Sequence, residues 1–347
     1  MRLGLGLGSG PWAGLDIGSY SVKLVTLVPG GSRLRHAEAI IPRGTSNDEP
    51  PSPAILAGLI DDCMSRTDQS PRGFRGISVA VSGPDVIVKQ ITLPFMDESE
   101  IPGALRFEAR KHLPFDIESM VLDHQVLGRN ASERKMDLLL ATVSQARLDR
   151  ALAPLRELGV EAGIVDAAPL ALANALAQSA ARDATDDPRV RLLLDVGHRE
   201  SWLSLSHEGH PLFTRRLAWG GEQLTAAVAA ATGASIEKVE AWKMDAGSSL
   251  AQSGPEAAAA RAAVESLGEE LRRSFAFYRT IAELPELFTL RLSGGTARLA
   301  GLAERLGEIV GAHVSAFSPL DGSERGARLT AGGPQYAQAY GLALRAA

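Results

Sequence analysis

Leu15-Asp16-Ile17-Gly18-Ser19, Leu194-Asp195-Val196-Gly197-His198 and Leu292-Ser293-Gly294-Gly295-Thr296 each read as an apolar strand running into a tight glycine turn. A strand that stops at Asp-x-Gly leaves a carboxylate at its tip, and the turn that follows points backbone N–H groups into open space. That arrangement suits phosphate and Mg²⁺. One Asp-x-Gly alone carries no signal, because turns use both residue types for conformational reasons. Two of them, each followed by an apolar strand and roughly one small domain apart, point to a duplicated fold. The third glycine pair precedes the helical pattern Leu299, Leu302, Leu306 and completes a nucleotide-site set.

At 347 residues the chain is long enough for two domains, each with its own core. A formal net charge of −5 and the absence of a rich basic cluster exclude nucleic acid as the expected partner. Met1 to Gly10 alternates Leu and Gly around Arg2 and reads as a flexible leader. The most apolar stretches, Pro169 to Ala177 and Thr225 to Ala231, fall well short of the roughly 20 residues that cross a bilayer. Cys63 is the single cysteine, so no intramolecular disulfide or cysteine cluster forms, which fits a reducing cytoplasm. The seven histidines show no ligand spacing for a transition metal.

Along the chain, Ala13 to Ile17 and Ser21 to Leu27 read as a β-hairpin whose tip is the turn Gly18 to Tyr20. Lys23 stands just beyond it, either to reach a phosphate or as a solvated strand lysine. A short helix is expected over Ala54 to Met64. A new unit is expected at Ile77, with strands Ile77 to Val81 and Val86 to Leu93 joined by the turn Ser82-Gly83-Pro84-Asp85. Asp97 and Glu100 have capping-box spacing for a helix that Pro114 ends. Strands over Val121 to Leu127 and Met136 to Val143 and a helix over Gln145 to Leu158 make this unit a small α+β insertion. The second half begins near Gly163. Ala167 to Ala177 and the segment holding Ala339, Gly341 and Ala343 read as helices of small residues that can cross closely, either as a hinge or in one core. A second hairpin, Arg191 to Asp195 with Ser201 to Ser206, and a third strand, Pro211 to Trp219, lead to helices over Glu222 to Thr232, Ile236 to Lys243 and Glu256 to Ala282. In the last of these, Val264, Leu267, Leu271, Phe275 and Tyr278 form a core stripe.

The ordered set Asp16-Ile17-Gly18-Ser19, Asp195-Val196-Gly197, Gly220-Gly221-Glu222-Gln223-Leu224-Thr225, Glu240-Ala241-Trp242-Lys243 and Ser293-Gly294-Gly295 resembles the actin/Hsp70 ATPase superfamily in its FtsA and PilM branch. Leu93-Pro94-Phe95-Met96, Phe107 to Phe115 and Leu122 to Leu127 narrow the resemblance to the PilM-like family of type IV pilus assembly. It implies an α/β, actin-like ATPase fold: two duplicated RNase H-like domains around a nucleotide cleft, with a 1C-type α+β insertion. Residues 1–76 and 330–347 would form subdomain 1A, 77–163 the insertion 1C, and 164–329 the second domain, with helical subdomain 2B at about 233–285.

The same resemblance implies site roles. Asp16 and Asp195 would hold hydrated Mg²⁺ through water. Gly18, Ser19 and Gly197 would offer backbone N–H groups to the phosphates of ATP or ADP, and Lys23 a point charge. Glu240 and Lys243, three apart on one helix face, would address the nucleoside; without the family they read as a surface ion pair. Gly221, Gly294, Gly295 and Thr296 would let the backbone approach it. Where relatives carry a water-orienting glutamate this chain has Ala168, leaving Asp166 as the nearby substitute, so binding is expected ahead of turnover. His198 and Arg199 stand where relatives usually carry smaller residues, which would crowd the second phosphate turn or change how it reads charge. The implied partner is the cytoplasmic tail of a PilN-like inner-membrane protein in a groove between 1A and 1C, with Pro94, Phe95, Pro114 and Phe115 as candidate contacts or, equally, as helix stops and core aromatics. Other pilus platform proteins and self-association are further expectations. The chain stops at Leu342 to Ala347 without the amphipathic anchor of FtsA-like proteins, so membrane attachment is expected through a partner. The competing readings are a nucleotide-free pseudo-ATPase scaffold, a filament-forming ATPase like FtsA or MreB, and a small-molecule kinase on the same fold.

Overall fold

Strand β1 (Trp12–Ile17) runs antiparallel to β2 (Ser21–Leu27) with Asp16 opposite Lys23, and β2 pairs in turn with β3 (Leu34–Ile40). The computed structural model describes residues 10–27, 34–42, 50–70, 73–112, 116–180, 190–207, 210–281, 288–319 and 333–346, so most of the expected leader and both Pro114 and Phe115 lie outside the described residues. The imperfect alternation of β2 has a simple cause. Its residues are buried on both faces, Val22 and Leu24 against Ile60, Cys63 and Met64 on one side and Val25 against Ala339, Tyr340 and Ala343 on the other. The first of these groups sits on helix α1 (Pro53–Arg66), which starts with Ser52 accepting from the Ile55 N–H at 3.4 Å and Pro53 in its first turn.

β4 (Gly76–Val81) lies parallel to β1, with Trp12 opposite Gly76 and Leu15 opposite Val79. This corrects the expected insertion boundary at Ile77: β4 is an inner strand of the first sheet. The turn Ser82 to Asp85 imitates a hairpin, but the next strand, β5 (Ile87–Pro94), belongs to another sheet. After α2 (Ile101–His112) come β6 (Met120–Asn130), β7 (Lys135–Ser144) and α3 (Gln145–Glu157). β7 pairs with both β5 and β6, and α2 closes one face over Ile91, Leu93, Met136, Leu138 and Leu140. Helix α3 departs from expectation too, because Leu155 packs with Ile60 of α1 under the first sheet. β8 (Ile164–Ala167) then pairs parallel with β4, giving the order β3-β2-β1-β4-β8.

Helix α4 (Ala168–Ala180) leads to β9 (Val190–Val196), β10 (Ser201–His207) and β11 (His210–Leu217), then to α5 (Gly221–Thr232), α6 (Ile236–Met244) and α7 (Pro255–Ile281). β12 (Thr289–Ser293), α8 (Leu302–Val310), β13 (His313–Ala316) and α9 (Ala337–Ala346) complete the described chain. The second sheet runs β13-β12-β9-β10-β11-β5-β7-β6 among the described residues. The part from β11 to β13 repeats the order of the first sheet with each strand replaced by its counterpart, and the insertion continues that sheet where β5 meets β11 antiparallel, with Lys89 opposite Phe213. Both repeats carry a three-stranded antiparallel meander and two parallel crossover strands, so the fold is a duplication. The α7 stripe is buried in the second core as its spacing predicts.

One apolar cluster ties the parts together: Val25, Val81 and Ala167 from the first sheet, Val86, Val88 and Leu139 from the insertion, Leu193 and Trp202 from the second sheet, with α4 and α9 between. The small residues of these helices permit the contact. A Cβ at Gly341 would stand 1.7 Å from the Ala171 carbonyl oxygen, and one at Gly14 of β1 would stand 1.9 Å from that of Ala339. No described helix is long and apolar enough to cross a membrane.

Candidate nucleotide site

Both Asp-x-Gly hairpins close in the same way. The Gly18 N–H donates to the Ser21 carbonyl at 3.1 Å and the Gly197 N–H to that of Glu200 at 3.1 Å. A Cβ would approach the same carbonyls to 3.0 and 2.7 Å respectively, so glycine is required for closeness in each turn. This alters the expected role of the two amides, which are spent inside their own turns. What Gly18 contributes is access, since its missing Cβ would face Lys23 Nζ at 3.5 Å and Asp16 Oδ1 at 4.0 Å. Ser19 is exposed at the tip of the first turn.

Asp16 and Asp195 stand at the carboxyl ends of β1 and β9, where open α/β sheets place ligands. Lys23 Nζ donates to Asp16 Oδ2 at 3.1 Å, and Gln338 at the start of α9 donates from Nε2 to Asp16 Oδ1 at 2.7 Å. Lys23 is buried, not the solvated lysine of the alternative reading. Burial works against its charge, but Asp16, Glu38 and Asp195 outweigh it and hold the ammonium above its ordinary value. Asp195 accepts from Ser293 Oγ at 2.7 Å; burial, reinforced by the charge of Asp16, pushes its carboxyl up to about 6 against the pull of Ser293 and Lys23. The two aspartates therefore act on each other's charge, with Lys23 felt by both.

The residues expected to border a nucleoside converge on the same place. Gly221 N–H donates to the Gly197 carbonyl at 2.9 Å and Glu222 N–H to that of His198 at 2.8 Å, docking the start of α5 on the second turn. Thr296 Oγ1 donates to Gly197 O at 2.9 Å. A Cβ at Gly221 would meet Thr296 Oγ1 at 2.5 Å and Lys243 Nζ at 3.1 Å. Lys243 donates to Gly221 O at 2.9 Å, Thr225 Oγ1 at 2.7 Å and Glu240 Oε1 at 3.0 Å, and Thr225 Oγ1 also bonds Glu240. Glu240 and Lys243 are buried, so the surface-pair reading does not hold. Burial opposes the charge of Glu240, but Lys243, Thr225 and His198 keep its carboxyl below the ordinary range.

Gly294 has φ +95° and passes so close to the end of β9 that a Cβ would stand 2.3 Å from the Val196 oxygen, while its N–H donates to Pro334 O at 3.0 Å. Gly295 beside it faces open space. Of the crowding pair, His198 meets Tyr20 with ring centroids 5.2 Å apart, and Arg199 Nε lies 3.6 Å from Glu222.

Asp166 does not join this group. Its carboxylate lies 3.5 Å from Arg345 Nε, accepts from the Ala167 N–H at 2.9 Å and feels Asp123 of β6. Burial raises its carboxyl above the ordinary range. Gln338 and Arg345 are seven residues apart on α9, roughly 10 Å of helix, so Asp166 stands at the opposite end of α9 from Asp16. Its expected water-orienting role is corrected accordingly. Pro94 ends β5 opposite Lys135, and the Phe95 N–H donates to Arg134 O at 2.9 Å beside the β6–β7 turn, with the Phe95 side chain exposed. About 20 Å of strand separates them from Val86 and Val88, where the insertion meets the central core. They form the far tip of the insertion and not the wall of a groove against the first sheet. Gln338, Tyr20 and Ser293 touch Asp16, His198 and Asp195 respectively and were not site candidates from sequence; only Ser293 lay inside a site motif.

The residues suit a magnesium nucleotide in charge and room. Asp195 is under-compensated where a cation would relieve it, Lys23 is a buried ammonium at the phosphate turns, and Gly295 leaves space next to Thr296.

A family model described as type IV pilus assembly protein PilM matches residues 14–347. A solved structure titled PilM-PilN type IV pilus biogenesis complex is 29% identical, covers 99% of this chain and 99% of its own, and superposes with a TM-score of 0.81. Ethanolamine utilization protein EutJ from Carboxydothermus hydrogenoformans shares the fold at 14% identity and TM-score 0.55, over 99% of this chain and 91% of its own. MreB 5 of Spiroplasma citri bound to AMPPNP does so at 12% identity and TM-score 0.50, over 96% and 95%. The fold is thus actin-like.

Proposed function

This chain belongs to the PilM family of type IV pilus assembly proteins, and on that premise we propose that it is a nucleotide-binding scaffold of the pilus assembly platform at the inner membrane. Mg-ATP or Mg-ADP binds between the turns that follow Asp16 and Asp195. The carrying observation is that these two carboxylates end equivalent strands of duplicated sheets and act on each other's charge, with Lys23 bonded to Asp16 and felt by Asp195. Asp16 and Asp195 hold the cation through its water, and Lys23 meets the phosphates. Gly221, Gly294, Gly295 and Thr296 border the nucleoside, and the Glu240–Lys243 pair braces α6 against α5 behind it. The cation, once bound, offsets phosphate charge that the aspartates would otherwise repel. Binding, rather than turnover, is the activity, because Asp166 stands with Arg345 and away from the aspartate pair.

The partner is the tail of a PilN-like membrane protein, which carries this chain to the membrane; a related structure that is a complex of PilM with PilN supports a PilN-like partner. Its place is the junction of the first domain with the insertion, where edge strands β8 and β6 approach at Asp166 and Asp123 and Val165 is exposed. An extended tail gains main-chain bonds along such an edge. A second reading, a scaffold that works without nucleotide, is favoured by the Tyr20–His198 contact across the two phosphate turns.

Calorimetric titration with Mg-ATP tests the proposal. Micromolar binding that Asp16→Ala abolishes supports the cleft; no binding to the unaltered protein transfers support to the nucleotide-free scaffold.

A further inference from the structure

The second phosphate turn is joined to the root of the insertion by an unbroken run of hydrogen bonds. It starts at Gly197, whose N–H is held by the Glu200 carbonyl at 3.1 Å. The Glu200 carboxylate points the other way. It takes the Ser82 hydroxyl and Trp202 Nε1 (3.3 Å) on Oε1, and Arg216 Nε (2.5 Å) on Oε2. Ser82 follows directly on β4 and opens the turn from which the insertion departs. Its hydroxyl also accepts from Trp202 Nε1 at 3.0 Å, and its carbonyl accepts from Arg147 Nη1 at 3.0 Å.

Arg147 carries the run onward. Its Nε pairs with Asp85, and Asp85 Oδ2 in turn accepts from the Ser144 hydroxyl and, at 3.3 Å, from the Ser144 N–H. Ser144 is the N-cap of α3, accepting from the Arg147 N–H at 3.2 Å. Asp85 is therefore fully engaged; burial opposes its charge, but the bonds from Ser144 and Arg147 hold its carboxyl below the ordinary range. The guanidinium lies so close over the turn that a Cβ at Gly83, where φ is +134°, would stand 2.3 Å from it. Both strands that leave and re-enter the insertion, β5 by way of Asp85 and β7 by way of Ser144, are thus gripped at one point, and that point is held to the second domain through Glu200.

We propose that Ser82 and Glu200 form a coupling joint, through which occupancy of the phosphate turns sets the orientation of the insertion and hence of the partner surface. Closing the second turn on a phosphate moves Gly197 and, with it, Glu200. Because Glu200 bonds Ser82 with its carboxylate and Gly197 with its carbonyl, the displacement reaches Asp85, Arg147 and the cap of α3. The bistable element is the cleft itself, open or closed, and the joint transmits its state to the insertion. This rests on the proposed nucleotide reading.

The test is amide hydrogen exchange of the full chain with and without Mg-ATP, for the unaltered protein, Ser82→Ala and Ser82→Thr, with calorimetry on the same samples. Ser82 touches no residue assigned to the nucleotide, so Ser82→Ala keeps its Mg-ATP affinity within about twofold. In the unaltered protein Mg-ATP slows exchange over residues 82–88 and 144–150 by about fivefold or more, the size of an ordinary coupling. Ser82→Ala loses that response while binding nucleotide, and Ser82→Thr, which restores the hydroxyl, recovers it. A response that persists in Ser82→Ala overturns the joint and leaves the nucleotide site standing. Absence of Mg-ATP binding in the unaltered protein overturns both.

Discussion

Tyr20 and His198 meet ring to ring at 5.2 Å, and they come from the two equivalent turns that follow Asp16 and Asp195. The contact spans the duplicated halves of the molecule at the point where phosphate would enter. The His198 Nε2 lies 4.0 Å from the Glu222 carboxylate.

An aromatic pair of this kind contributes about 0.5–1.5 kcal/mol. If nucleotide must part the rings, Tyr20→Ala binds Mg-ATP up to about tenfold more tightly, and His198→Ser does the same. Titration calorimetry reads this directly. Unchanged or weaker binding in both variants would mean that the rings do not gate the site.

Asp195 makes the ligand-free protein pH-sensitive. Its carboxyl is raised from 3.8 to about 6, chiefly by burial, so the folded chain holds the proton more tightly than the unfolded chain. Stability is greatest below pH 4 as far as this group is concerned and falls as pH rises toward 6, by about 3 kcal/mol in all. Asp195→Asn keeps an acceptor for Ser293 Oγ and carries no charge. Denaturant midpoints at pH 7 should then be higher in the variant and lose the decline between pH 4 and 6. Parallel curves for the two proteins would show that Asp195 is not the group responsible.

The Glu240–Lys243 pair predicts a non-additive cost. Lys243→Met leaves a buried carboxylate with Thr225 as its remaining hydrogen-bond partner within the cluster, and destabilises by about 3–5 kcal/mol. Adding Glu240→Gln removes the stranded charge and recovers part of the loss. A urea-denaturation cycle in which the two changes simply add would put the pair at the surface after all.

Two glycine-to-alanine changes should act in opposite directions. At Gly341 the new methyl meets the Ala171 backbone, which cannot swing aside, so α4 and α9 are pushed apart at a cost of about 1–3 kcal/mol. At Gly58, an exposed position within α1 with nothing within 4 Å, alanine stabilises by about 0.5–1 kcal/mol. Thermal melts of the two variants decide it. A tolerated Gly341→Ala would show that the helices are not in backbone contact.

The two Asp-x-Gly hairpins were legible in sequence because everything that makes them is local. Strand pattern, turn residues and the terminal carboxylate all lie within a dozen positions, and repetition at Asp195 marks the duplication. The insertion boundary was not. Ser82-Gly83-Pro84-Asp85 has the chemistry of a hairpin turn, yet β4 and β5 enter different sheets, since a parallel pairing such as β4 with β1 is set by a crossover that no short window contains.

The same division runs through the site. The sequence by itself determined the duplication, the strands that carry Asp16, Asp195 and Ser293, and the helix spacing that aligns Glu240 with Lys243, because residue type and period act over a few residues; the fold class came through the family resemblance that these motifs carry. Only tertiary structure decided that Lys23 is buried on Asp16, that Glu240 and Lys243 are a sealed brace, that Asp166 faces Arg345, and that Tyr20 reaches His198. Burial and electrostatic environment belong to whichever distant elements close over a side chain, and those elements here come from opposite ends of the chain.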